Sequence, residues 1–256
     1  MLQLYLTGVD ARLKLSLAML IVCSTMSAQS ATEIVRKADE KMRGETLQAE
    51  MIIRTVRPTW SREMAVRAWT KGNTFSMILI QSPKKDEGTA FLKRGKEVWN
   101  WMPTLERTIK LPPSMMAQSW MGTDFSNDDL VKESSVMNDY THAIIGDTLI
   151  ASRLCHKILL LPKPEAAVVW GKIIVCIDKQ DYLELHTRFY DEEGILINTM
   201  TGFDIKEMDK RLLPTRFEMV PADKHNHKTE LIYKQLLYNR PLDASFFTLE
   251  NMKNLR

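Results

Sequence analysis

From Leu47 onward the apolar residues of this chain recur at every second position, and that period constrains the fold more than any other feature. Leu47, Ala49, Met51 and Ile53 alternate with Gln48, Glu50, Ile52 and Arg54; Met64, Val66 and Ala68 alternate with Glu63 and Arg67. A period of two places one set of side chains on one face of a strand. Further runs of the same kind follow: 73–82, 89–93, 97–102, 107–111, 140–150, 157–161, 168–177, 184–190, 196–205, 216–220 and 228–237. Short turns separate many of them, among them Arg94-Gly95-Lys96 and Asp191-Glu192-Glu193-Gly194. Many strands with short turns fit one antiparallel sheet that curls on itself. There is no fixed-period repeat and no linker, so a single domain is expected over residues 29–256.

Two segments break the period. Thr32 to Arg43 carries Ile34, Val35, Ala38 and Met42 at helical spacing and stops at Gly44, as an amphipathic helix does. At the far end, Asp243 to Leu255 reads as a strand end and a short helix. Before the first helix, Arg12 and Lys14 precede the apolar run 15–23 and then small residues up to Ala31. That is the layout of a secretory signal peptide, with cleavage expected after Ala28 and Ser30 as the alternative. The apolar run is too short to span a bilayer comfortably. Val22 before Cys23 argues against a lipoprotein anchor.

The stretch 99–130 has too much apolar surface for a loop and too many breaks for one helix. Trp99-Asn100-Trp101-Met102 ends a strand at Pro103, and Arg107 to Leu111 returns. Pro112-Pro113 then opens a Met-rich helical turn, Ser114 to Met121, which Gly122 ends. Ser126 is an N-cap for a second short helix, 127–131, with Asp128 and Asp129 in its first turn. The sheet therefore sends out a flap carrying Met115, Met116, Trp120, Met121 and Phe125, which need apolar surface beneath them. Met51, Ile53, Met64 and Val66 on the strands, with Trp99 and Trp101, are the expected facing wall. Together they make candidate lining for an apolar hollow, although a filled core has the same signature. Methionine is the commonest sulfur residue, 16 in all, and its flexible thioether suits a wall that repacks around apolar guests.

Chemistry of other kinds finds little support. Formal net charge is +3 with no Lys/Arg-rich run, so nucleic acid is not suggested. No Gly-x-Ser-x-Gly elbow, His-Glu-x-x-His helix or phosphate-binding glycine loop is present, and no catalytic residue is assigned. His225 and His227 sit in a polar turn with too few neighbours for zinc, and Asp124, Asp128 and Asp129 read as caps and flap anchors. No metal and no cofactor are expected. Arg107 is expected to pair with Asp124 or to attract a phosphate headgroup. Of the cysteines, Cys155 and Cys176 flank a hairpin-like segment and either pair or stay free.

A resemblance to a known family rests on particular residues. Trp99-Asn100-Trp101-Met102-Pro103, Arg107, Lys110-Leu111, Met121-Gly122-Thr123-Asp124-Phe125-Ser126 and Asp129-Leu130 are similar to the signature of the outer-membrane lipoprotein-sorting protein family, which is LolA-like in fold. Gly146, Cys155, Leu159, Leu161-Pro162-Lys163, Tyr190-Asp191, Gly194, Lys228-Thr229 and Phe247-Thr248 extend the match. The resemblance implies a mainly β protein with a few helices: an incomplete antiparallel β-barrel wrapped on a helix, with a short-helix lid over an apolar cavity. It implies a periplasmic carrier of acyl chains, of a lipoprotein or another lipid, moving towards the outer membrane. It also implies a transporter of the resistance-nodulation-division (MMPL-like) or ABC type as a partner. The alternatives are an accessory module that docks on such a transporter without carrying lipid, and an enzyme of envelope lipids. Co-purifying lipid separates the first from the carrier, and clustered pocket-facing ionisable groups would favour the second.

Overall fold

The computed structural model describes residues 29–132 and 136–255; the expected signal peptide lies outside them. Helix α1 (Ala31–Arg43) comes first. It is followed by β1 (Thr46–Val56), β2 (Ser61–Lys71), β3 (Phe75–Ser82), β4 (Ala90–Arg94), β5 (Glu97–Met102) and β6 (Arg107–Lys110). After the lid come β7 (Tyr140–Ile150), β8 (Arg153–Pro162), β9 (Lys172–Asp178), β10 (Glu184–Tyr190), β11 (Leu196–Met208), β12 (Arg211–Pro221) and β13 (Lys228–Tyr238). A short helix, α2 (Leu249–Asn254), ends the chain. All strands join one 13-stranded antiparallel sheet in the order β6-β5-β4-β3-β2-β1-β13-β12-β11-β10-β9-β8-β7. The ends β6 and β7 do not pair, so the sheet is an open barrel, as expected. No helix among the described residues is long and apolar enough to cross a membrane.

Helix α1 lies in the concave side because its apolar stripe, Ile34, Val35 and Ala38, is buried in the main core. The Ser30 hydroxyl accepts from the Glu33 amide at its start. At its end Arg211 donates to the carbonyls of Glu40 (3.0 Å), which also accepts the Gly44 N–H, and Lys41 (2.7 Å). The Tyr238 hydroxyl donates to Met42 O. Gly44 turns the chain out at φ +65°, where a Cβ would stand 3.0 Å from the Tyr238 ring; this tight approach needs glycine.

The β1–β6 half of the sheet is covered on both faces. Ala68, Ile78, Ile80, Phe91 and Val98 belong to the concave core. Their alternates Trp69, Met77, Leu79, Ala90 and Leu92 meet Phe247 and Met252 on the convex face. The C-terminal segment therefore serves as a cover for that face, and no strand forms after Tyr238. Pro214 sits inside β12, where β13 is not its partner: the β12–β13 ladder spans only Arg216 to Met219. A residue with no N–H to donate is tolerated there. On β11, Gly202, whose register partner is Phe217, allows a close approach, since a Cβ there would meet Pro214 Cβ at 3.0 Å and Glu184 O at 3.1 Å.

The lid departs from expectation in its first half: the helical turn expected over 114–121 is a single 3₁₀ turn, Pro113–Met115, while the short helix expected over 127–131 is present as a π-helix, Asp128–Lys132. Between them Met121 (φ +52°) and Gly122 (φ +76°) make a tight left-handed turn. The chain then doubles back, with Trp120 N–H to Phe125 O at 2.8 Å and Asn127 N–H to Gln118 O at 2.9 Å. Backbone groups that a helix would have satisfied locally are paired across this hairpin instead.

Candidate functional site

Between α1, the lid and the inner face of β8 to β13 lies a cavity of about 310 Å³, at the lower end of the ~300–1,000 Å³ range of ligand pockets. Val35, Ala38 and Met42 of α1 line it, with Phe125 and Leu130 of the lid. Leu160, Trp170, Ile173, Val175, Ile177, Phe189, Phe217 and Met219 form the wall. The wall exists because the period of two turns Ile158, Leu160, Ile173, Val175 and Ile177 inward together. Polar lining is sparse: Asp39, Lys41 and Arg43 on α1, Asp128 and Asp129 on the lid, Glu184 and Thr187 on β10, with Thr70 and Tyr182.

Burial shapes the charges of these groups. Desolvation raises the carboxyl pKa of Asp129 and of Glu184, and it lowers that of the Lys41 ammonium. Lys41 is already turned to the Asp181 carbonyl at 2.6 Å, and Arg43 to Asp39 at 3.0 Å.

Two polar latches hold the lid. At one, Asp124 accepts from Arg57 Nη1 (2.9 Å) and Nη2 (3.0 Å), a bidentate pair whose side chains are 11% and 6% exposed for Arg57 and Asp124. Thr229, buried in β13, donates its hydroxyl to the same carboxylate at 2.7 Å and accepts the Asp124 amide at 3.0 Å. Arg62 donates to Met121 O, and Asn198 Nδ2 to Asp124 O at 3.3 Å. At the other latch, Ser126 and Asp129 form a reciprocal cap: Asp129 N–H reaches Ser126 Oγ at 3.1 Å and Ser126 N–H reaches Asp129 Oδ2 at 2.8 Å. The remaining Asp129 oxygen accepts from Trp170 Nε1 at 2.9 Å. This bond ties the lid to the cavity wall.

The residues expected from sequence divide among the cavity, the concave core, the lid and the convex face. Phe125 lines the cavity. Ile53, Met64, Val66, Met116 and Trp120 are buried in the concave core, and Met51 and Met121 pack against it partly buried. There the lid lies on the β1–β5 half of the sheet, with the rings of Trp120 and Phe91 at 5.6 Å. Met115 is half-buried on the lid. Trp99 and Trp101 stand on the convex face, because they pair with Leu92 and Ala90 and share their side of the sheet. Lys110 and Lys253 lie over their rings. Arg107 is exposed at the start of β6, and the partner of Asp124 is Arg57 instead, brought there by the turn after β1. The sequence reading missed the wall of β8 to β10 and its polar members Trp170 and Glu184. The alternating run 168–177 was visible, but nothing local says which face curls inward.

Comparison with known proteins fits this geometry. Three solved structures share the fold. A DUF1329 family protein from Desulfovibrio piger has a TM-score of 0.79 at 17% identity, over 87% of this chain and 97% of that one. A putative outer membrane lipoprotein-sorting protein domain from Vibrio parahaemolyticus has 0.78 at 20%, over 87% and 98%. A LolA superfamily protein from Nitrosomonas europaea has 0.76 at 23%, over 87% and 99%. The fold is thus LolA-like, and the resemblance stated from the motifs around Met121 to Ser126 is borne out. A family model described as "-like: Uncharacterized protein" matches residues 72–254, and the chain belongs to that family. No curated protein matches the sequence.

Proposed function

We propose that this protein is a periplasmic carrier that shelters the acyl chain of a lipoprotein or another lipid in the cavity under its lid and moves it towards the outer membrane. The observation that carries the reading is an apolar-walled cavity of about 310 Å³, bordered by a lid that two polar latches hold in place. Hydrocarbon enters such a space without specific contacts, at roughly 0.8 kcal/mol per CH₂ removed from water. The likeness in fold to a putative lipoprotein-sorting domain and to a LolA superfamily protein supports the same reading. An inner-membrane transporter of the resistance-nodulation-division or ABC type is the proposed donor or acceptor. The lid, 112–130, is the proposed gate. The role is binding and transfer, with no chemical step. Native mass spectrometry of protein purified gently from envelope extract tests it. Adducts of acyl-lipid mass that are lost on delipidation and regained on adding lipid are expected. Protein that carries no lipid and takes up none would refute the reading.

A further inference from the structure

Glu184 is the polar group of the cavity wall that the lid latches do not explain. It stands at the start of β10, partly buried, and lines the cavity among Ile177, Leu183 and Phe217. Thr187 donates its hydroxyl to Oε1, which fixes the carboxyl and leaves Oε2 for a guest. Gly202 packs against the Glu184 carbonyl from the next strand, so the backbone beneath it is held as well. Of the charged groups around the cavity, Asp39 faces Glu184 from α1 and disfavours a second negative charge. Asp128 and Asp129 face the cavity from the lid. The two cations, Lys41 and Arg43, are turned to Asp181 O and Asp39.

Resting on the carrier reading, we propose that Glu184 is the cavity's specificity residue, and that it selects chains whose first polar group is an uncharged acceptor, an ester or amide carbonyl, over chains that end in a carboxylate or phosphate. An anionic head would bring its charge into a low-dielectric space beside the carboxyl groups of Asp39 and Asp128, where the bordering cations Lys41 and Arg43 already hold partners and like charges repel strongly. An ester or amide brings none, and it accepts a hydrogen bond from a neutral Glu184. Desolvation favours that neutral form, since it raises the carboxyl pKa. Aspartate or glutamate kept protonated in an apolar site serves as a donor in this way.

The test is displacement of the uncharged dye N-phenyl-1-naphthylamine from the mature protein by four twelve-carbon compounds: monododecanoylglycerol, N-methyldodecanamide, dodecanoic acid and dodecyl phosphate. In the wild type at pH 7.5 the ester and amide are expected to displace dye at concentrations at least tenfold lower than the acid and phosphate. Glu184→Leu is expected to weaken the ester and amide three- to tenfold, the worth of one neutral hydrogen bond, without weakening the phosphate. Glu184→Gln, which keeps a donor, is expected to restore them. Equal displacement by acid and ester in the wild type, or an unchanged ester affinity in a folded Glu184→Leu, would overturn the assignment. Failure of the dye and all four compounds to bind would sink the carrier reading itself, and the assignment with it.

Discussion

Removing the Asp124 carboxylate should free the lid while the sheet stays folded, and the size of the effect follows from the latch. Asp124→Ala deletes both charge-assisted bonds to Arg57 and the acceptor of the buried Thr229 hydroxyl. Breaking one partner of a buried ion pair costs about 3–5 kcal/mol. Arg57 keeps the carbonyls of Val56 (2.9 Å), Lys228 (3.2 Å) and Gly122 (3.3 Å), so its charge is not stranded, and the low end, about 3 kcal/mol, applies. If that falls on local opening of the lid, the open population rises roughly a hundredfold, at tenfold per 1.4 kcal/mol. Hydrogen exchange reads it directly. The amides of Trp120, Asn127 and Asp128, bonded within the lid, should exchange about a hundredfold faster. Amides of the β2–β3 ladder should keep their rates. Asp124→Asn, which retains a Thr229 contact, should fall between. Unchanged lid rates would refute the latch. Equal acceleration of lid and sheet would show that the pair holds the whole fold, and the separation of lid from sheet argued above would be wrong.

Four further outcomes follow from other parts of the molecule. Val175→Phe should keep the fold and abolish dye binding, because Val175 lines the cavity and a ring there fills it; dye binding at wild-type affinity would mean that guests sit elsewhere. Phe247→Ala should lower stability by about 3–5 kcal/mol, since Phe247 is fully buried and stacked on Phe75 at 5.3 Å. Dye affinity measured on the folded variant should not change, as that cluster is on the convex face. Glu184→Gln should flatten the pH dependence of the urea midpoint. The folded-state pKa of Glu184 is raised, so the folded protein binds the extra proton; its contribution to stability grows as pH falls through that raised value and is complete below the ordinary 4.5. The variant should therefore be more stable than wild type at pH 8, with the gap closing towards pH 5. Cys155 and Cys176 should both resist alkylation in the native state and react after unfolding: both are buried, and burial pushes the Cys155 thiol up to about 11.

The strands were legible because period two survives wherever one face is buried, and α1 because Ile34, Val35 and Ala38 repeat at helical spacing between Ser30 and Gly44. Curling of the sheet was legible as a class of fold, but the face lining the cavity was not. Trp99 and Trp101 look like cavity residues beside a Met-rich flap. Only the register with Leu92 and Ala90, and the arrival of Phe247 from far along the chain, puts them on the convex side. That Asp124 accepts hydrogen bonds in the flap was legible from its place there, and its partner was not, since Arg57 is 67 residues away and no local pattern singles it out over Arg107. The first helical turn of the lid stops at Met115, short of the expected Met121, because the chain from Gln118 pairs back on itself across a left-handed turn at Met121 that propensity does not foresee. The cysteines show the limit of symmetry arguments: Cys155 lies opposite Asp178 and Cys176 opposite Lys157, so they are staggered by two positions and not paired face to face.

The two latches differ in strength, and the difference decides which end of the lid moves. The Arg57–Asp124 end carries a bidentate ion pair, the Thr229 hydroxyl and the Arg62 contact to Met121 O. The other end is joined to the cavity wall through Trp170 Nε1 on Asp129. A hydrogen bond to a carboxylate is worth about 1.5–3 kcal/mol, which burial of roughly two to four methylenes offsets at ~0.8 kcal/mol each. An acyl chain can therefore open the Asp129 end by its own burial, while the Asp124 end stays shut and acts as the hinge. Trp170→Phe keeps the ring and removes the donor, so it should speed entry of N-phenyl-1-naphthylamine by about tenfold or more in stopped-flow fluorescence. The Thr229→Val change at the hinge should leave that rate within a factor of two. Entry faster in Thr229→Val than in Trp170→Phe would place the moving end at Asp124 and reverse the assignment.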